Sequence, residues 1–143
     1  MRSADRGTEQ IAAIREEMQS TMEDSAGIFR SGDSLSKGVD QLTQLQQRLQ
    51  RIQLYDETRA FNTELVAALE LANMLDVAET ILQTALQREE SRGAHQRTDF
   101  PARDDTRFLN HALAYRESDG AIRIERSPVT ITRWPPGERV YGR

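Results

Sequence analysis

The stretch "SLSKGVDQLTQLQQRLQRIQ", residues 34–53, settles the fold class. Leu35, Val39, Leu42, Leu45, Leu49 and Ile52 recur at steps of four, three, three, four and three, with glutamine on the outer faces. An α-helix repeats every 3.6 residues, so these six side chains form one apolar seam. A half-buried strand would alternate at every second residue, and this stretch does not. The seam covers under three heptads, too short for a long coiled coil. It predicts one helix of a short helical bundle, whose partners must lie elsewhere in the chain.

Candidates flank it on both sides. Residues 8–24 place Ile11, Ile14, Met18 and Met22 on one stripe, with Glu16, Glu17, Glu23 and Asp24 mostly off it. "SAGIFRSGDS", residues 25–34, breaks that pattern with two glycines. "LYDETRAFNT", residues 54–63, reads as a connection. Residues 60–74 predict the next helix, with Phe61, Leu65, Ala68, Leu69 and Ala72 facing inward. At "NMLDVAE", residues 73–79, a break or kink is expected, because Asp76 and Glu79 have capping-box spacing. A fresh apolar series follows at Val77, Ile81, Leu82, Ala85 and Leu86, and Gly93 is the expected helix stop.

Pro101 ends regular structure. Leu113 to Arg116 and Ala121 to Arg126 predict a β-hairpin across "ESDG", residues 117–120. Ile122 and Ile124 alternate with charged residues, as a half-buried strand does. "SPVTIT", residues 127–132, adds an extended piece, and "RWPPGERVYGR", residues 133–143, reads as an extended tail. The expected organisation is one domain, with a helical bundle over 1–97 and a loop, hairpin and tail over 98–143 packing on it.

The totals narrow the function. The 143 residues suit one domain with one core. The absence of cysteine removes disulfides, thiolate metal sites and thiol nucleophiles. No apolar run approaches the ~20 residues that cross a bilayer, and "MRSADRGTEQ" has no apolar signal core, so a soluble, cytoplasmic chain is expected. Net charge is −4, divided as −6 over residues 1–87 and +2 over 88–143. Lys37 is the only lysine among 19 basic residues. Acids interrupt every arginine run, which argues against a nucleic-acid arm.

Chemistry concentrates in "REESRGAHQRTDFPARDD", residues 88–105, with four arginines, five acids and one of the two histidines. No complete catalytic set emerges from this chain. "GIFRSGDS", residues 27–34, spaces two glycines like a phosphate loop but puts Asp33 where lysine is needed. No G-x-G-x-x-G run exists. His95 and His111 lie sixteen apart with a proline between them, without metal-ligand spacing. Ser91 is not in a nucleophile elbow. Asp105 is a candidate cap for a short turn through Phe108 and Leu109. What remains suits contact: Arg92, Arg97, Arg103 and Arg107 can make forked bonds, Gly93 can let backbone approach, and His95 can donate or accept. On composition alone, a docking edge and a plain solvated loop both stay open.

"ESRGAHQRTDFPARDD" (residues 90–105) closely resembles a signature of the flavoprotein subunits of succinate dehydrogenases and fumarate reductases. The likeness continues in "MQSTMEDSAGIFRS" (18–31), "FNTELVAALELANMLDVAE" (61–79), "ALQREESRG" (85–93), "FLNHALAY" (108–115), "SPVTIT" and "PPGERVYG" (135–142), in order. The tail looks most like fumarate reductase. L-aspartate oxidase shares a similar pattern and is the alternative within this resemblance; a free-standing helical adaptor is the alternative outside it. Phe100 stands where the family usually has tyrosine, and Gln96 where alanine or tyrosine is common.

The resemblance implies the C-terminal helical domain of a larger flavoprotein: an all-α, three-helix up-and-down bundle similar to a spectrin repeat, with the third helix kinked or broken near Asp76. It implies a parent enzyme that interconverts fumarate and succinate, with covalently bound FAD in other domains and none in this chain. The implied partners are the FAD-binding and capping domains, an iron–sulfur subunit and membrane-anchor subunits, the complex lying peripherally on the cytoplasmic face of the membrane. No catalytic, cofactor-binding or metal-binding residue carries over. Arg92, Gly93, His95, Arg97 and Asp99 are expected to form an interdomain interface.

Overall fold

Two of the three long helices begin where a side chain closes the first turn. The computed structural model describes residues 7–137. Helix α1 spans Ile11–Ala26 and α2 spans Gly32–Leu49. Ser31 caps α2 through its Oγ, which accepts from the Ser34 amide, while Ser34 Oγ accepts from the Ser31 amide. Helix α3, Thr63–Gln87, is capped by Asn62, whose Oδ1 accepts from the Leu65 amide at 2.7 Å.

Cross-helix contacts fix the directions. Arg48, near the end of α2, donates to Glu9 just before α1 (2.9 Å) and to Glu17 in its first half (2.5 Å), whereas Gly38 meets Ser25 at the end of α1. These two helices are therefore antiparallel. Gly38 also approaches Leu82, and Gln46 donates to Glu79, so α3 runs antiparallel to α2. The core is Ile14 and Met18 from α1, Leu35, Leu42 and Leu45 from α2, and Leu71, Leu75, Ala78, Leu82 and Ala85 from α3. Every apolar position predicted for α1 and α2 is buried in this core or packed against it.

Helix α3 departs from expectation. Phe61, Leu65 and Leu69, expected inward, are exposed, as are Val77 and Ile81. The inward stripe is Leu71, Leu75, Ala78, Leu82 and Ala85; Leu82 and Ala85 face inward as predicted, and Leu86 packs against the core. The helix also continues unbroken through Asp76. Nothing in "NMLDVAE" removes a backbone donor, and Leu75 and Ala78 on either side of the expected break are both buried against one core. Asp76 and Glu79 form no capping box. Both accept from Arg116 Nη2, at 2.9 and 3.0 Å, and tether the hairpin to the bundle.

That hairpin, β3 (Asn110–Arg116) with β4 (Ile122–Pro128), is antiparallel and pairs Asn110 with Pro128 through Arg116 with Ile122. It lies where the sequence places it but starts three residues earlier and takes in Ser127 and Pro128. The fold is thus helical with a β-hairpin, not purely α. A short parallel pair joins β1 (Phe29–Arg30) to β2 (Gln96–Arg97), two elements absent from the sequence reading. The tail reading beyond Gly137 and the first six residues lie outside the described residues.

The helices approach closely at Gly38. A Cβ there would stand 2.6 Å from Ser25 Cβ and 3.0 Å from Leu82 Cδ1. Gly38→Val is therefore expected to lower stability by about 2 kcal/mol through overpacking. Urea unfolding checks this, and an unchanged midpoint would contradict the packing described.

Candidate functional site

Helix α3 ends at Gln87, where Arg88 turns extended, and the chain then folds back over the end of the bundle. Arg92 and His95 exchange both backbone hydrogen bonds around Gly93 and Ala94. Gly93 has φ 59°, the left-handed value that the first central residue of such a two-residue turn requires. Gly93 is thus neither a helix stop nor a point of close approach, because nothing lies within 4 Å of where its Cβ would be. Beyond the turn, the Arg97 amide donates to Ser91 Oγ at 2.8 Å, and the Thr98 amide donates to Arg30 O at 2.8 Å. The segment is a folded plug, not an open loop.

Arg97 is its centre, with a side chain 2% exposed. Its Nη1 donates toward the carbonyls of Ala85 (3.1 Å), Leu86 (3.0 Å) and Arg88 (3.2 Å), at and just past the end of α3. Its Nε and Nη2 fork onto Asp99, both at 2.8 Å. Asp99 Oδ2 also accepts from the Gly32 amide at 2.8 Å, in the first turn of α2. One cation therefore closes a helix C-terminus and one anion a helix N-terminus, each opposite in sign to the partial charge it meets. The forked bonds from Arg97 hold the Asp99 carboxyl far below the usual carboxylate range, against a smaller opposing effect of burial.

Glu90, fully buried, is the second hub. It accepts from Arg88 Nη1 (2.5 Å), Arg92 Nε (2.8 Å), Arg92 Nη2 (3.0 Å) and the Asp104 amide (2.8 Å). Burial pushes this carboxyl up, but the bonds from Arg92, the Asp104 amide and Arg88 together bring it below its ordinary value. Arg88 further donates to Phe108 O and Asn110 O, and the guanidiniums of Arg107 and Arg126 each lie 5.0 Å from the Phe108 ring. This cluster anchors α4 (Asp105–Phe108) and the start of the hairpin to α3. The cap of α4 is Asp104, one residue before the Asp105 expected, and its Oδ1 accepts from the amides of Thr106 and Arg107.

His95 sits between these hubs. Its Nε2 lies 3.0 Å from Arg88 O and its Nδ1 3.2 Å from Arg30 Nη1, so Nε2 carries the proton and Nδ1 accepts. Burial, reinforced by Arg30, Arg97 and Arg88, depresses its pKa below the ordinary value, while the bond to Arg88 O opposes. The folded chain prefers the neutral ring. Its contribution to stability is complete above the unfolded pKa of ~6.5 and is lost as pH falls toward the lower folded value. The melting temperature should drop as pH falls below about 6.5, and His95→Gln should flatten that slope. An identical slope in the variant would contradict this assignment.

Arg92, His95, Arg97 and Asp99 lie in one folded segment and bond to groups of this chain. Sequence reading missed Glu90, Arg88 and Arg30. Arg88, Glu90 and Arg92 recur at every second residue, which puts them on one side of an extended segment. That signal becomes readable once the chain is known to leave the helix at Gln87. Arg103 and Arg107 are more exposed and pair with Asp105, Asp104 and Glu89.

These residues do not fit a flavin. No glycine-rich dinucleotide loop occurs in the sequence. Among the described residues the two glycines of positive φ, Gly93 and Gly120, sit in turns, and both ring nitrogens of His95 are engaged by this chain's own groups. Among the described residues no three acidic or histidine side chains are grouped to hold a metal, and no helix is long and apolar enough to cross a membrane.

Residues 15–141 match the family described as "Fumarate reductase flavoprotein C-term". The fumarate reductase flavoprotein subunit of Mycobacterium tuberculosis is 60% identical over 137 residues, a span that covers 96% of this chain and 24% of the relative. Its Escherichia coli counterpart is 46% identical over 138 residues, covering 95% and 23%. A solved structure of E. coli quinol fumarate reductase superposes with a TM-score of 0.89 at 45% identity, over 95% of this chain and 24% of that one. The chain thus spans about a quarter of the length of the relatives it matches. Sequence and fold agree along nearly all of its length, and the chain belongs to the fumarate reductase flavoprotein C-terminal family.

Proposed function

We propose that the chain is the C-terminal scaffold of a flavoprotein that interconverts fumarate and succinate. In this reading FAD, bound covalently in preceding domains, exchanges hydride with the dicarboxylate. Electrons pass to or from an iron–sulfur subunit and a quinone, at membrane-anchor subunits on the cytoplasmic face. Residues 1–97 and 98–143 act as one domain, similar in plan to a spectrin repeat. The observation that carries the reading is the 60% identity to a fumarate reductase flavoprotein subunit across 96% of the chain. The geometry supports a structural role, because the chain's densest polar cluster is engaged in closing its own helix ends.

The interdomain role falls to the outer surface of the same plug. Gly93, Ala94, Thr98 and Asp99 are exposed, while Arg92, His95 and Arg97 hold their shape from behind. In the whole flavoprotein, flavin retention and dye-driven fumarate reduction are expected. A whole protein that holds no flavin, or that oxidises L-aspartate in preference to succinate, would overturn the functional reading. Arg92→Ala with unchanged assembly, flavin content and turnover would remove the interface role.

A further inference from the structure

The loop before α3 displays an aromatic side chain in a costly conformation. Phe61 has φ 57° and is the only non-glycine residue of positive φ among those described. The left-handed region is unfavourable for a bulky residue and persists where the surroundings over-determine it. Here they do. Glu64 Oε2 accepts from the amides of Tyr55 and Asp56, both at 2.7 Å. Asp56 Oδ1 accepts from the amide and hydroxyl of Thr58, and Asn62 Nδ2 donates to the carbonyls of Asp56 and Thr58. The loop is latched on both sides of Phe61.

Burial within this chain does not explain that conformation. Phe61 precedes the cap Asn62, the place whose apolar side chain ordinarily packs on the fourth helical residue. That residue is Val66, yet Phe61 is 100% exposed and Val66 53%. Leu65 and Leu69, one turn apart, continue the apolar surface along α3, and Leu69 is 59% exposed. The patch carries no charge of its own, and it lies away from the stripe that meets α1 and α2.

We infer that Phe61, Leu65, Val66 and Leu69 form the surface on which the preceding part of the same flavoprotein polypeptide seats, with Phe61 as its anchor. This rests on the reading above. The occupant follows from length: the chain matches the C-terminal part of its family, and the greater part of each relative lies outside the match. An apolar patch with a pre-formed aromatic at its edge suits a permanent contact, and a latched aromatic loses little entropy on docking.

The test is carbene footprinting of the whole flavoprotein without other subunits, alongside the 143-residue chain. Labelling of Phe61 and Leu69 should be at least roughly tenfold lower in the whole protein, and Phe61→Ala should raise proteolysis at the domain junction by roughly tenfold. Equal labelling in both would overturn the inference. So would protection that appears only on adding another subunit, or protection in the short chain that rises with its concentration, since those outcomes assign the patch to a separate subunit or a second copy. Footprinting does not read turnover, so protection in a protein inactive on fumarate would sink the functional reading and leave the docking surface standing.

Discussion

Arg97→Ala is expected to destabilise the chain by about 2–3 kcal/mol, the size of losing a buried guanidinium together with the hydrogen bonds it makes. The magnitude follows from what the guanidinium holds. Its loss strips the carbonyls of Ala85, Leu86 and Arg88 of a shared donor and leaves Asp99 facing only the Gly32 amide. The junction between the end of α3 and the start of α2 then rests on the Thr98 bonds to Arg30 O, the Arg30–His95 contact and the Gly32–Asp99 bond. Arg97→Lys keeps the charge but cannot fork onto Asp99 while reaching the helix end, so roughly half the loss should remain. Urea unfolding of both variants measures this. An alanine variant within about 1 kcal/mol of wild type would show that the plug does not hold the bundle end. Because Asp99 is held ionised far below its unfolded pKa of ~3.9, the stability it brings is present above that value and disappears as pH falls further. The alanine variant should therefore lose less on acidification below about pH 4 than the parent does.

Glu90→Ala should cost about 3–5 kcal/mol, for the opposite reason of sign. The carboxylate is fully buried and compensates Arg88 and Arg92 while accepting the Asp104 amide. Without it, two partly buried cations face each other, and the segment leading into α4 loses its anchor. Glu90→Gln preserves the shape but not the charge and should recover only part of the loss. The coupling is also testable: in the Glu90→Ala background, Arg92→Ala should cost less than it does alone, because its strongest partner has gone. Strict additivity would contradict the shared hub.

Legibility of the fold followed how narrow each apolar pattern is. Helices α1 and α2 carry single stripes flanked by glutamine and acids, so period alone fixes their inward faces. Helix α3 is apolar on several faces. Leu65 and Leu69 compete in the sequence with Leu71 and Leu75, and periodicity cannot decide which set faces the core. Asp76 and Glu79 misled by spacing: a capping box and a clasp for Arg116 look alike until residue 116 is placed in space. The hairpin was legible because "ESDG" supplies a turn between alternating residues. In the candidate site, residue types were legible but their partners were not. The bonds from Arg97 reach helix-end carbonyls, and the bond from Gly32 to Asp99 spans 67 positions of sequence.

In the proposed scaffold role, this chain carries none of the flavoprotein's reacting atoms. The most direct measurement supplies the purified 143-residue chain with FAD and a reduced dye and follows fumarate consumption. No flavin should be retained after desalting, and the rate should equal the dye-only background. Sustained reduction of fumarate by this chain alone would contradict it.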